Sequence, residues 1–139
     1  MKRRLDLRPA LLMLAIGLAA RAQPADYHQK VVERLKRARA VGVLQAYGTD
    51  IIFPAPGETR GTLSIGGIES FQEAGFTPAE ILRFLTTNAA KLLGVDAQRG
   101  AVRPGMAADI VAVPGDPLAD ASVLRRVSFV MKDGKILKR

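Results

Sequence analysis

Near Gly100 the apolar residues of this 139-residue chain change period, from helical spacing before it to alternation after it. That switch divides the chain into a mainly helical part and a small sheet. Before the switch, Tyr27, Val31, Leu35 and Ala38 recur at helical spacing among charged residues and predict an amphipathic helix over 25–40, which Gly42 stops. Val43 to Tyr47, a short apolar run between two glycines, reads as a buried strand. A weaker helical pattern runs through Ile65, Ile68 and Phe71, interrupted by Gly66 and Gly67 and ended by Gly75. The next helix has the fullest local signature: Thr77 as cap, Glu80 to complete a capping box, Pro78 at the first helical position, and Phe76 to staple onto Ile81. Ile81, Leu85, Ala89 and Leu92 share a face, and Gly94 follows.

After the switch, Arg103-Pro104-Gly105 reads as a turn, Asp109 to Val113 as a strand, and Pro114-Gly115-Asp116-Pro117 as a second turn. Val127–Lys132 and Lys135–Lys138 flank Asp133-Gly134, a strong short-hairpin signal. Three short strands rarely stand alone, so this sheet needs a surface to pack on. There is no internal repeat and no low-complexity tract.

The N-terminus bears on the compartment. Lys2, Arg3, Arg4 and Arg8 precede an apolar stretch from Ala10 to Ala20 that leads into Ala20-Arg21-Ala22, the layout of an export signal cleaved after Ala22. The apolar stretch falls short of the roughly 20 residues a spanning helix needs, which disfavours an anchor; the plain alternative is a buried N-terminal helix. Taking Lys2, Arg3, Arg4, Arg8, Arg21 and Asp6 away from 21 basic and 13 acidic residues leaves 16 against 12, a mature charge of +4 in place of +8. Half of the net positive charge is thus attributed to targeting, which weakens any inference to nucleic acid. With no cysteine, the chain offers neither a disulfide nor a thiolate metal ligand.

"VLQAYGTD", Val43 to Asp50, delivers one carboxylate to the end of an apolar run, a frequent place for functional groups in α/β folds. Alone, an aspartate after Gly-Thr is more often a turn former or a helix cap than a catalyst. Its surroundings are more specific. "GVLQAYGTD" at Gly42–Asp50, "AGFTPAEILRFLTTNAAKLLGV" at Ala74–Val95, "GAVRPGMAADIVAVPGDPLAD" at Gly100–Asp120 and "VMKDGKI" at Val130–Ile136 together resemble the C-terminal part of the amidohydrolase superfamily, in its imidazolonepropionase-related branch.

The resemblance implies a metal-dependent hydrolase on a (β/α)8 barrel, with a small β-sandwich domain built from both chain ends. This chain would then hold an export signal (1–22), a C-terminal barrel fragment (23–98) and the last strands of the sandwich (99–139). Its residues are too few to close a barrel, which takes about 250. The aspartate ending strand eight in the family ligates the metal, zinc by preference, and handles the proton of its water; Asp50 matches that position, as both metal ligand and catalytic residue. The family also draws a His-x-His pair, a lysine or acidic residue and two further histidines from earlier strands, and none of these is present. His28, the lone histidine, matches the outer helix before strand eight and is expected to be a surface residue. One carboxylate cannot hold a catalytic zinc, which takes three protein ligands, so the chain by itself is expected to be inactive and to bind no metal tightly.

The implied substrates are small amides or dipeptide-like molecules cleaved at carbon-nitrogen bonds, and the implied location is periplasmic or secreted. Alternatives are a barrel completed by a second chain, and a non-catalytic module recruiting a partner through open strand edges or by self-association. Thr86-Thr87-Asn88 is assigned to structure, Asp109 and Asp116 to strand-start and turn roles, and Arg34-Lys36-Arg37-Arg39 to a solvated helix face in preference to a nucleic-acid surface.

Overall fold

A computed structural model describes residues 26–51 and 56–139. The export signal expected over 1–22 and part of the expected surface loop at 51–61 lie outside these residues. Helix α1 spans Tyr27–Ala40, α2 Arg60–Ile65, α3 Ile68–Glu73, α4 Pro78–Leu85 and α5 Thr87–Leu92. Strands β1 (Ile110–Ala112), β2 (Phe129–Lys132) and β3 (Lys135–Lys138) follow, with a 3-10 helix at Ala121–Arg125 between the first two.

The amphipathic helix forms over the predicted span, but its buried face is turned. Val32 is the buried residue, with Val31, Leu35 and Ala38 half-buried and Tyr27 exposed. The turn follows from how α1 docks on α3: His28 Nε2 meets Glu73 Oε2 at 2.9 Å, and Arg39 donates to the Gly75 carbonyl while its guanidinium lies 5.0 Å from the Phe76 ring centre. Val32 on this face joins the buried cluster with Ile68 and Phe71.

The weak helical pattern around Phe71 resolves into two short helices broken at Gly66-Gly67. Thr59 caps α2 with a reciprocal Thr62 box. Helix α4 begins as predicted, with Thr77 Oγ1 accepting from Glu80 N and Glu80 Oε2 accepting from Thr77 N at 2.7 Å. It does not run to Leu92. At Thr86, φ −126° and ψ −92° interrupt it, Thr86 Oγ1 donates back to the Leu82 carbonyl at 2.6 Å, and α5 starts at Thr87.

Phe71 is the hub of the core. Its ring meets Tyr47, Phe76 and Phe84 at centroid distances of 5.6, 5.9 and 5.2 Å, and Phe76 meets Phe84 edge-on at 5.0 Å. Ile68, Ile81 and Val32 close around these rings. Ala121 of the 3-10 helix is buried in the same cluster and Leu124 packs against it, so the C-terminal segment contributes to the helical core. Arg125 adds an ion pair to Glu69 at 2.6 Å.

The sheet has the order β1-β2-β3, antiparallel throughout, with an irregularity between Val130 and Met131. Its hairpin turns at Asp133 (φ 48°) and Gly134 (φ 77°), the left-handed pair a tight I′ turn requires. Among the described residues no helix is long and apolar enough to cross a membrane.

Candidate functional site

The expected buried strand at Val43–Tyr47 is an extended segment without a ladder partner among the described residues. Val43 and Leu44 are exposed, at 55% and 56%, so the prediction of a buried strand is corrected. A strand is defined by its neighbours, and the sheet of this chain lies elsewhere. The segment instead forms an arm gripped by helix ends.

Residues two apart in an extended segment direct their backbone groups to the same edge. On that edge, Tyr47 N donates to the Phe84 carbonyl at 3.0 Å, and Asn88 Nδ2 donates to the Gln45 carbonyl at 2.8 Å. The last carbonyls of a helix have no partner in their own helix, so the end of α4 at Phe84 supplies an acceptor where a neighbouring strand would otherwise supply one. Asn88, in the motif assigned to structure, supplies the matching donor.

The Tyr47 side chain makes a second grip. Its hydroxyl donates to the Ser64 carbonyl at 2.9 Å and accepts from Gly67 N at 3.2 Å, bridging the break between α2 and α3. A Cβ on Gly67 would sit 2.5 Å from the Tyr47 ring and hydroxyl, so only glycine admits the ring here. Burial pushes the Tyr47 phenol above its ordinary pKa, against the smaller opposing effect of the Gly67 amide, which keeps it a neutral donor at physiological pH.

Asp50 is exposed three residues beyond Tyr47, with φ 47°, a left-handed backbone that aspartate tolerates better than most residues. Just after it, Arg60 Nη2 donates to the Ile51 carbonyl at 3.3 Å. The carboxylate therefore stands on a left-handed residue between two tethered points.

Among the described residues no three histidine, cysteine, aspartate or glutamate side chains gather around a point that one metal ion could occupy. Asp50 offers a single ligand. These residues do not by themselves fit a catalytic metal, and no chemical step follows from them alone.

The remaining candidates have structural partners. His28 lies on α1, away from the arm, with Nδ1 3.5 Å from Ser70 Oγ in addition to its Glu73 contact. Asp109 accepts from Asp133 N at 2.8 Å and from Lys132 Nζ at 2.9 Å and pairs with Arg99, which also reaches Asp133 Oδ1 at 2.7 Å. The Asp133 amide, then Lys132 and Arg99, hold its carboxyl far below the usual range. Asp116 accepts from Leu118 N at 2.9 Å in the predicted turn. Of the basic cluster on α1, Arg39 is committed to Gly75, Phe76 and Glu80. An apolar cleft of about 470 Å³ separates Leu85 and Ala89 from Val111 and Val113, so the sheet covers the helices incompletely.

The profile of the amidohydrolase family matches residues 8–137. The ochratoxinase of Aspergillus niger is 34% identical over 118 residues, an alignment covering 82% of this chain and 23% of that enzyme. Among solved structures, a Xaa-Pro dipeptidase with methionine bound in its active site superposes with a TM-score of 0.68 at 31% identity, over 78% of this chain and 25% of that one. A prolidase complexed with N-methylphosphonate-L-proline superposes with a TM-score of 0.64 at 28% identity, over 78% and 26%. The chain thus spans about a quarter of the length of these relatives, and its mixed α/β structure aligns with one part of theirs. By the extent of the profile match, this chain belongs to the metal-dependent amidohydrolase family.

Proposed function

We propose that this chain is the C-terminal portion of a metal-dependent amidohydrolase that cleaves carbon-nitrogen bonds in small amide or dipeptide-like substrates, with Asp50 as one ligand of its metal site. In this reading the arm Val43–Asp50 is the last strand of a (β/α)8 barrel, and β1–β3 belong to a small sandwich domain. The carrying observation is Asp50 itself: an exposed carboxylate at the end of a tethered extended segment, inside the region matched by the family profile. A bound divalent ion would polarise the scissile carbonyl and lower the pKa of water. The part of this chain is to present one carboxylate at a fixed place, able to bind the ion and to accept a proton beside it. The other ligands come from outside these residues, from preceding barrel strands or a complementing chain. The chain alone is inactive in this reading.

The test uses the full chain as bait. A partner carrying a His-x-His pair is expected to copurify, and hydrolysis of N-acyl amino acids or dipeptides is expected only in the mixture and is lost with Asp50→Asn. Hydrolysis by the mixture that Asp50→Asn leaves intact would overturn the assignment.

A second reading, a non-catalytic interaction module, is favoured by the exposure of Val41, Val43, Leu44, Leu93 and Val111. A copurifying partner without metal ligands, together with no hydrolysis in the mixture, would select it. Export through residues 1–22 is a separate proposal; N-terminal sequencing of the exported protein should begin at Gln23. Retention of Met1 in a cytoplasmic product would refute it.

A further inference from the structure

Two of the breaks between helices, at Gly66-Gly67 and at Thr86, meet the same segment. At the first, the gap between α2 and α3 receives the Tyr47 hydroxyl between Ser64 O and Gly67 N, and the lack of a Cβ on Gly67 leaves room for the ring. At the second, the end of α4 presents the Phe84 carbonyl to Tyr47 N, and the first turn of α5 presents the Asn88 amide to Gln45 O. The four contacts fall on residues 45 and 47, one edge and one face of the arm. None falls on Asp50, which lies beyond them.

We propose that Tyr47 and Asn88 are positioning residues for the Asp50 carboxylate: the two helix breaks act as a clamp that takes the place of a strand neighbour and holds the arm in shape from the helical side. The clamp leaves the opposite edge of the arm available for pairing, and it presets the carboxylate before any other ligand arrives. The functional meaning of the clamp rests on the proposed role of Asp50. The clamp itself is measurable without metal or substrate.

The experiment is amide hydrogen exchange and 15N relaxation on the full chain, comparing wild type with Asn88→Asp, Asn88→Gln and Tyr47→Phe. Asn88→Asp keeps the shape of the side chain and removes its donor. Exchange at Tyr47 N–H is expected to quicken about tenfold, the equivalent of one net hydrogen bond, and the heteronuclear NOE at Thr49 and Asp50 to fall. Amide shifts of the Asp133-Gly134 hairpin, remote from the arm, should stay in place. Asn88→Gln, which retains an amide donor, should recover part of the protection. Tyr47→Phe keeps the ring and should loosen the Gly67 amide and Asp50 together. Unchanged order at Asp50 in both Asn88→Asp and Tyr47→Phe would overturn the proposal. If the variants do not fold, the wild type decides: NOE values at residues 45–50 matching those of α4 support the clamp, and values as low as those at the chain end overturn it. Asp50→Asn should leave exchange at Tyr47 unaltered. A failed hydrolysis test for Asp50 would therefore leave the clamp standing, and a failed clamp would not touch the ligand assignment.

Discussion

The helices and the sheet of this chain are held together by different physics. In the helical region four aromatic rings meet in one cluster, and Ile68 and Ile81 are sealed within it at 1% and 0% exposure. In the sheet, Val111 and Leu137 are 55% and 61% exposed, and order comes from turns and from the Arg99, Asp109, Lys132 and Asp133 ion network. The helical region closes its core with help from Ala121 and Leu124, whereas the sheet leaves apolar residues in water. The arm bearing Asp50 belongs to both conditions: one edge is gripped by the helices while Val43 and Leu44 are open.

The contrast can be broken most forcefully from the helical side. Phe84→Ala removes a ring that touches two others and should destabilise the chain by about 3–5 kcal/mol in denaturant melts; a loss below 1 kcal/mol would show that the cluster is not the source of stability. Thr77→Ala removes one half of the capping box and should cost about 1 kcal/mol, read as a lower midpoint at unchanged slope. Alkaline pH offers a third probe. Because the folded pKa of Tyr47 is raised, the folded state holds its proton more firmly than the unfolded state. The stability it contributes is complete below about pH 10 and is lost as the pH rises past that value toward the folded pKa, and Tyr47→Phe should abolish this component.

In the sheet the effects should be smaller and sensitive to salt. Asp109→Asn should loosen the hairpin at low ionic strength and matter little in 1 M salt, where screening falls to a Debye length of about 3 Å. Its depressed pKa has the opposite sign to that of Tyr47: the contribution is present above about pH 3.8 and is lost as the pH falls below it. Val111→Ser, at an exposed position, should change stability by less than about 0.5 kcal/mol in the monomer. If it instead alters self-association, the open face of the sheet is already in use.

What was legible in the sequence was what short-range chemistry decides. Thr77-Pro78 with Glu80 names a helix start without reference to the rest of the chain, and Asp133-Gly134 names a turn for the same reason. The end of that helix was not legible, because the break at Thr86 goes with contacts made across the fold, Phe84 and Asn88 to the arm and Gly100 beneath Ala90. The arm was misread as a buried strand because apolarity reveals that a segment wants partners and not whether they are present. Asn88 was assigned to structure, but its partner at Gln45 is 43 residues away and no spacing rule reaches it. The left-handed backbone at Asp50 agrees with the turn reading of an aspartate after Gly-Thr, a backbone that aspartate tolerates. The 3-10 helix was missed although Asp120 and Ser122 form a short cap, with Asp120 Oδ1 accepting from Ser122 N at 2.8 Å.

Zinc titrated into the full chain, followed by calorimetry and by the amide shifts of Thr49, Asp50 and Ile51, bears most directly on the claim that Asp50 is one ligand waiting for others. The account predicts no saturable site of micromolar affinity, and only weak shifts centred on Asp50. A one-to-one micromolar site that disappears in Asp50→Asn would contradict it, because the remaining ligands would then have to lie within this chain.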